Sequence, residues 1–261
     1  MSYSKVSKDE FLGGLLTLKQ PIKGYRITSD SIFLAASIFV KKGEKILDVG
    51  AGTGAILSFI AARLGEGIKT LTLHGVEIQD DLIALARENG PDFISYFNGN
   101  IFRDIDGCKA NCYDHVISNP PYYEKGKTNP SPYKTKAVAQ GVDMVDLDLW
   151  IERSMRMVRP KGYLTVVHRA DRLGDIVKIM SKSAGAIIIY PFYSKVGKDA
   201  NRVIIRAQKD ANGPLTLKSG MVGINSFALA ASEAPFGGTN FSGLGREGGA
   251  EGIEDYLDTK L

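Results

Sequence analysis

Two cysteines, three histidines and no apolar run long enough to cross a bilayer are what this 261-residue chain has least of. Each scarcity removes a class of function. Cys108 and Cys112 lie in a polar stretch with no histidine or further cysteine beside them. Neither a disulfide framework nor a zinc site is expected there, and both read as reduced thiols. His74, His115 and His168 fall on predicted strands without an accompanying serine or cysteine motif, so no nucleophilic triad is expected and they read as core or strand-end residues. A membrane helix needs about 18 apolar residues in a row, and Met1 to Glu10 carry no signal-peptide pattern. The expectation is a cytoplasmic protein with no membrane and no metal.

What is present is enough apolar material, 44% of the residues, for one α/β domain with a substantial core and an appendage. The net charge of +4 is unevenly spread: residues 219–261 carry −4 and the body +8. That excess suits a polyanionic partner, although scattered surface lysine produces it too.

The four residues Asn119-Pro120-Pro121-Tyr122 follow an apolar run, His115 to Ser118, that reads as a buried strand ending at an active site. An asparagine amide oxygen and a carbonyl fixed by proline can accept two hydrogen bonds from one exocyclic NH2, and a tyrosine ring offers a face for a base. Proline pairs also end strands for purely local reasons. Upstream, Lys45 to Val49 breaks into three alternate glycines, Gly50, Gly52 and Gly54, and then into a helical pattern, Ala55 to Leu64. Such glycines let a backbone turn pass close against a ligand. A further apolar run from Leu71 to Val76 ends in Glu77, and a carboxylate at a strand tip can accept from both hydroxyls of a ribose. Loop and carboxylate together indicate a bound nucleoside. The spacing lacks the Gly-x-Gly-x-x-Gly of a dinucleotide fold, so S-adenosyl-L-methionine is expected rather than NAD.

Asp48 to Gly54, Glu77 and Asn119 to Tyr122, in that order, resemble the class I methyltransferases that modify amino groups, over roughly residues 22–218. The stretch Gly24 to Leu34 resembles the tRNA adenine methyltransferases that act beside the anticodon of a valine tRNA. The resemblance implies a doubly wound α/β sheet of seven strands with the last antiparallel. Strands are expected near 45–49, 71–77, 93–97, 114–118, 162–168, 186–190 and 202–208, and helices over 30–40, 53–64, 79–88, 146–158 and 171–183. The chain divides into an N-terminal extension with a substrate-facing helix (1–44), a methyltransferase domain (45–218) and a C-terminal extension (219–261).

It also implies roles. Asp48 organises the glycine loop and meets the methionine ammonium. Gly50, Gly52 and Gly54 pass beside the methionine part, and Glu77 with Ile78 holds the ribose. Asn100 with Ile101 meets the adenine at the position where related enzymes carry an acidic residue. Asn119, Pro120 and Tyr122 hold the acceptor, a 6-amino group of adenine in tRNA. Arg26, Lys125, Lys127, Lys134 and Lys136 are candidate phosphate contacts and Tyr133 a stacking residue, on a long stretch that otherwise reads as a solvated loop. Two related readings are a protein glutamine methyltransferase, whose carboxamide presents a similar NH2, and a guanine methyltransferase of ribosomal RNA. A non-catalytic RNA-binding module is the reading from another class.

Residues 219–261 resemble the C-terminal end of an aldehyde dehydrogenase, through Gly220 to Asn225, Ser232 to Gly238, Ser242 to Gly249 and Gly252 to Leu257. That family's nucleophilic cysteine and general-base glutamate segments are absent, and Thr239 stands where a lysine is usual, so dehydrogenase activity is not implied. A fusion, a recombined gene or a frame accident would each place it there. Its nine glycines raise the entropy cost of ordering, and a poorly anchored or edge-pairing segment is expected.

Overall fold

A computed structural model describes residues 5–122, 146–195 and 197–219, and beyond them the backbone pairing at 221–222, 236–237 and 246–247. The chain opens with a hairpin that sequence periodicity does not announce, β1 (Val6–Phe11) and β2 (Leu16–Pro21), paired antiparallel. Charge and amide side chains close it. The Asp9 carboxylate accepts from Ser7 Oγ, Gln20 Nε2 and Arg26 Nη2, and these hydrogen bonds hold it below its usual range. The hairpin then docks through Asn89, which donates to the carbonyls of Lys19 and Thr53 and accepts from Lys19 N–H. Phe11 meets Phe59 edge-on at 5.5 Å.

Helix α1 (Ser29–Ala36) follows. The expected helix runs to Val40, but the chain leaves helical geometry four residues earlier. Arg63 explains the early stop: its guanidinium donates to the carbonyls of Ala36 and Ile38, and burial lowers its pKa to about 10. Carbonyls satisfied by a neighbouring helix need no further turn of their own.

The alternating units are β3 (Lys45–Val49), α2 (Ala55–Leu64), β4 (Thr72–Glu77), α3 (Asp80–Asn89), β5 (Ile94–Asn98), β6 (Tyr113–Ser118), α4 (Leu147–Met157), β7 (Val158–Arg169), α5 (Leu173–Met180), β8 (Ala184–Tyr193) and β9 (Ala200–Lys209). They match the expected order, and β7, β8 and β9 run longer than expected at both ends. The strands lie side by side as β8-β9-β7-β6-β3-β4-β5. All neighbours from β7 to β5 are parallel, and β9 runs antiparallel to β7 and β8.

Successive residues of each strand feed opposite layers, as a pleat requires. Ile46, Ile117 and Ile204 pack against α1, α2 and α3, whereas Leu47, Val116 and Val203 pack against α4 and α5. The sheet exceeds seven strands because β10 (Thr216–Leu217) and β11 (Met221–Val222) both pair parallel to the edge strand β8. A separate antiparallel pair joins β12 (Phe236–Gly237) to β13 (Arg246–Glu247). Among the described residues no helix is long and apolar enough to cross a membrane.

Candidate active site

Adjacency of β6, β3 and β4 brings the three sequence motifs to one rim of the sheet, at the carboxyl ends of parallel strands where α/β folds bind ligands. Beyond β3 the backbone turns back on itself: the N–H groups of Gly50 and Ala51 both donate to Val76 O at 2.9 Å. Gly52 and Gly54 have φ of 56° and 78°, the left-handed region that suits glycine. Space excludes a side chain as well. A Cβ on Gly52 would lie 2.7 Å from the Tyr25 ring, and one on Gly54 would lie 2.5 Å from the Tyr96 hydroxyl.

Glu77 clamps this loop. Its Oε2 accepts from Gly52 N–H and its Oε1 from Gln79 N–H, each at 2.9 Å. Burial pushes the carboxyl up and these backbone donors pull it back. Four acceptor positions on a carboxylate leave room for two hydroxyl donors besides. Asp48, expected to organise the loop, accepts no hydrogen bond from it; Glu77 and the Val76 carbonyl take that role. Asp48 is fully buried with both oxygens unpartnered, and burial together with Glu77 pushes its pKa up to about 8. A buried carboxylate without a donor is costly, and two carboxylates in one apolar wall fit a ligand bearing an ammonium and a sulfonium. Ile78 sits half-buried beside Glu77, and Ile101 is buried. The Asn100 amide oxygen accepts from Phe102 N–H at 2.9 Å, so a base reaching it would share that oxygen.

The acceptor half begins at Ser118. Its hydroxyl donates to Val49 O at 2.7 Å and accepts from Trp150 Nε1 at 3.0 Å, so the end of β6 is pinned to the end of β3. Pro120 is buried, Asn119 and Tyr122 half-buried. The Tyr122 hydroxyl lies 2.9 Å from Asn119 Oδ1 and 2.8 Å from Asp30 Oδ2. Its ring meets His168 edge-on at 4.8 Å and carries the Arg202 guanidinium 5.1 Å from its centre. A base that stacks on Tyr122 therefore meets a ring that already has two neighbours. Burial, then Asp30, raises the phenol's pKa.

Arg26, read from sequence as a phosphate contact, is engaged in the hairpin: it donates to Ser7 Oγ and Pro21 O and pairs with Asp9, while its side chain stays partly exposed. Lys125, Lys127, Tyr133, Lys134 and Lys136 lie outside the described residues. Five residues at this rim escaped the sequence reading: Tyr25 over Gly52, Ser118 and Trp150 beneath the acceptor motif, and Asp30 and Arg202 around Tyr122. The available signals were a tryptophan that occurs once in the chain and a tyrosine just ahead of the glycine loop.

Comparison with known proteins agrees with this geometry. A family model described as a methyltransferase domain matches residues 40–204, and one for the aldehyde dehydrogenase family matches residues 207–261. A tRNA1(Val) (adenine(37)-N6)-methyltransferase of Trichodesmium erythraeum is 28% identical over 161 residues, 60% of this chain and 65% of that protein. The chain thus spans somewhat under two thirds of that relative. A solved Agrobacterium tumefaciens structure described as a predicted O-methyltransferase superimposes with a TM-score of 0.57 at 22% identity, covering 73% of this chain and 86% of that one; it bears on the fold alone. A 3-sulfolactaldehyde dehydrogenase of Pseudomonas putida is 40% identical over 99 residues, 38% of this chain and 18% of its own length. With a matched model covering more than half of its length, the chain belongs to the methyltransferase domain family, and its architecture is that of the class I enzymes that take their methyl group from S-adenosyl-L-methionine.

Proposed function

We propose that this protein transfers a methyl group from S-adenosyl-L-methionine to the exocyclic 6-amino group of an adenine in tRNA, in the cytoplasm. The observation that carries the reading is the common rim of Asp48 on β3, Glu77 on β4 and Asn119 just past the end of β6, three neighbouring parallel strands. The relative from Trichodesmium erythraeum, named for adenine-37 of a valine tRNA, supports the substrate class. In this reading residues 45–218 are the catalytic domain and residues 219–261 a non-catalytic extension.

The cofactor supplies an electrophilic methyl, so the protein's tasks are alignment and exclusion of water rather than creation of a strong base. Asp48 holds the ammonium, Glu77 the ribose, and the backbone at Gly50, Gly52 and Gly54 admits the methionine part closely. Ile78, Asn100 and Ile101 line the adenosine side. Asn119 Oδ1 and the Pro120 carbonyl accept hydrogen bonds from the two N–H groups of the acceptor amino group, which gives up one proton to solvent after the methyl has moved from sulfur to nitrogen. Those two hydrogen bonds favour a tetrahedral nitrogen, which frees its lone pair from the ring and makes prior deprotonation unnecessary. Tyr122 borders the base. An adenine in an RNA loop leaves its stack at the least cost, a few kcal/mol. Lys125, Lys127, Tyr133, Lys134 and Lys136 are candidate RNA contacts in this reading.

The test is incubation with labelled cofactor and unmodified tRNA, then nucleoside analysis of the product. Label in N6-methyladenosine is expected. Replacing Asn119 by Ala is expected to leave cofactor affinity in calorimetry nearly intact and to cut transfer by about two orders of magnitude or more. Label on a glutamine of a release factor, or on guanine of ribosomal RNA, would overturn the substrate; unchanged turnover of N119A would overturn the role of Asn119.

A further inference from the structure

The Tyr122 hydroxyl has a single proton and two oxygens within reach: Asn119 Oδ1 at 2.9 Å and Asp30 Oδ2 at 2.8 Å. Asn119 Oδ1 is the atom that must accept from the incoming amino group under the function proposed above, on which this inference rests. If Tyr122 donates to it, one of its acceptor positions is already in use and its lone pairs are drawn toward the phenol. Asp30 competes for that proton. It stands in the first turn of α1 and is 7% exposed. Arg202, at the start of β9, donates to the same Oδ2 from its Nε at 3.1 Å. A hydrogen bond to a charged carboxylate is roughly twice as strong as one to a neutral amide oxygen.

We infer that Asp30 and Arg202 are positioning residues of the acceptor site, whose charged pair draws the Tyr122 hydroxyl proton away from Asn119 and so leaves the amide oxygen free for the substrate amino group. Arg202 does this in two ways. Its Nε hydrogen bond fixes the position of Asp30 Oδ2, and its guanidinium over the ring face keeps the Tyr122 side chain turned toward α1. The device joins three segments that share no sequence motif: α1, the end of β6 and the beginning of β9. Neither Asp30 nor Arg202 has to touch the base to have this effect.

A purely architectural ion pair would tie α1 to β9 whether or not Tyr122 carried a hydroxyl, and this separates the two possibilities. Asp30→Asn is expected to lower kcat on unmodified tRNA about tenfold, with the KM for RNA and the affinity for S-adenosyl-L-methionine within about twofold of wild type. The same substitution made in a Tyr122→Phe background is expected to change kcat less than about twofold, because the competing donor is gone. An equal loss in both backgrounds, or no loss in either, would overturn the inference. Should D30N fail to fold, Arg202→Gln carries the same cycle at a more exposed position, and Arg202→Lys is expected to recover part of the rate.

A second readout needs no RNA. The Asn119 side-chain amide resonance of 15N-labelled protein is expected to move on Asp30→Asn when Tyr122 is present and to stay in place in the Tyr122→Phe background. A resonance that never moves refutes the proton competition. Wild-type protein that methylates no tRNA adenine would refute the proposed substrate, while this resonance still decides the question of Asp30.

Discussion

At Asp48 the fold buries a carboxylate that accepts no hydrogen bond, and the consequence is a residue whose protonation reports on ligand binding. Its pKa, raised to about 8 by burial and by Glu77, makes it mostly neutral at pH 7 in the free protein. A cation placed against it favours the carboxylate. Binding of S-adenosyl-L-methionine at pH 7 is therefore expected to release most of one proton, measured by calorimetry in buffers of different ionisation heat. Asp48→Asn should release none and bind at least about tenfold more weakly; undiminished proton release in that variant would sink the assignment.

The same shift sets a pH dependence of stability. A carboxyl whose folded pKa lies above its unfolded value of 3.8 stabilises the native state at low pH, and that contribution is lost as pH rises toward about 8, at up to about 1.4 kcal/mol per pH unit. His168 opposes it at the acid end. Burial, with Arg172 beside it, lowers its pKa to about 4 from 6.5, so the unfolded chain takes up that proton first and stability falls as pH drops through this range. Above pH 6.5 the opposing His168 contribution is complete; Glu77, also raised by burial, adds a slope of the same sign, and Asp48→Asn is expected to flatten part of the decline in denaturation midpoint between pH 6.5 and 8.

Residues of this kind divide by what sequence can carry. The placement of Gly50 to Gly54, Glu77 and Asn119 to Tyr122 at the sheet rim is legible because it rests on a local backbone shape or a strand end. Asp30 and Arg202 are not, because their meaning lies in a contact across 172 positions. Arg26 shows another limit: from sequence it reads as a free cation before the loop, and its partner Asp9 is visible only in the folded hairpin.

Among the elements, the β-α units from β3 to β9 follow from apolar runs alternating with helical periods. The N-terminal hairpin does not, since β1 holds apolar residues only at its two ends and depends on the polar groups around Asp9 and on docking through Asn89. Asn89 makes three hydrogen bonds that join β2 to α3 and to the carbonyl of Thr53 in the glycine loop. Asn89→Ala is expected to cost about 2–3 kcal/mol in chemical denaturation, and to weaken cofactor binding as well, because Thr53 loses its anchor. Loss of stability with unchanged cofactor affinity would show that the hairpin and the loop are not mechanically linked. Helix α1 shows the same limit of periodicity: its apolar pattern continues to Val40, while Arg63 on another helix and the Ser37 hydroxyl satisfy the carbonyls at its end near Ala36.

For the molecule as a whole, the aldehyde-dehydrogenase match begins at residue 207, near the end of β9, and its part beyond Lys218 pairs with the sheet at Met221–Val222 beside β8. Thr216–Leu217 makes the neighbouring pairing, also within the aldehyde-dehydrogenase match but ahead of Lys218. Truncation after Lys218 is expected to shift the thermal midpoint by no more than about 4 °C and to leave cofactor affinity unchanged. Loss of folding on that truncation would make the extension an integral part of the sheet. The excess of positive charge in the body over the tail, legible in composition, says only what kind of partner suits the molecule; the rim of the sheet says where.

One topological detail governs how such a molecule can come into being. Strand β9 is made after β8 yet lies between β8 and β7, so β8 reaches the rest of the sheet only through β9. On a translating ribosome, residues up to β7 can assemble the donor half while β8 waits without a seat. Arg202 arrives with β9, so its contact with Asp30 cannot form until β9 has emerged.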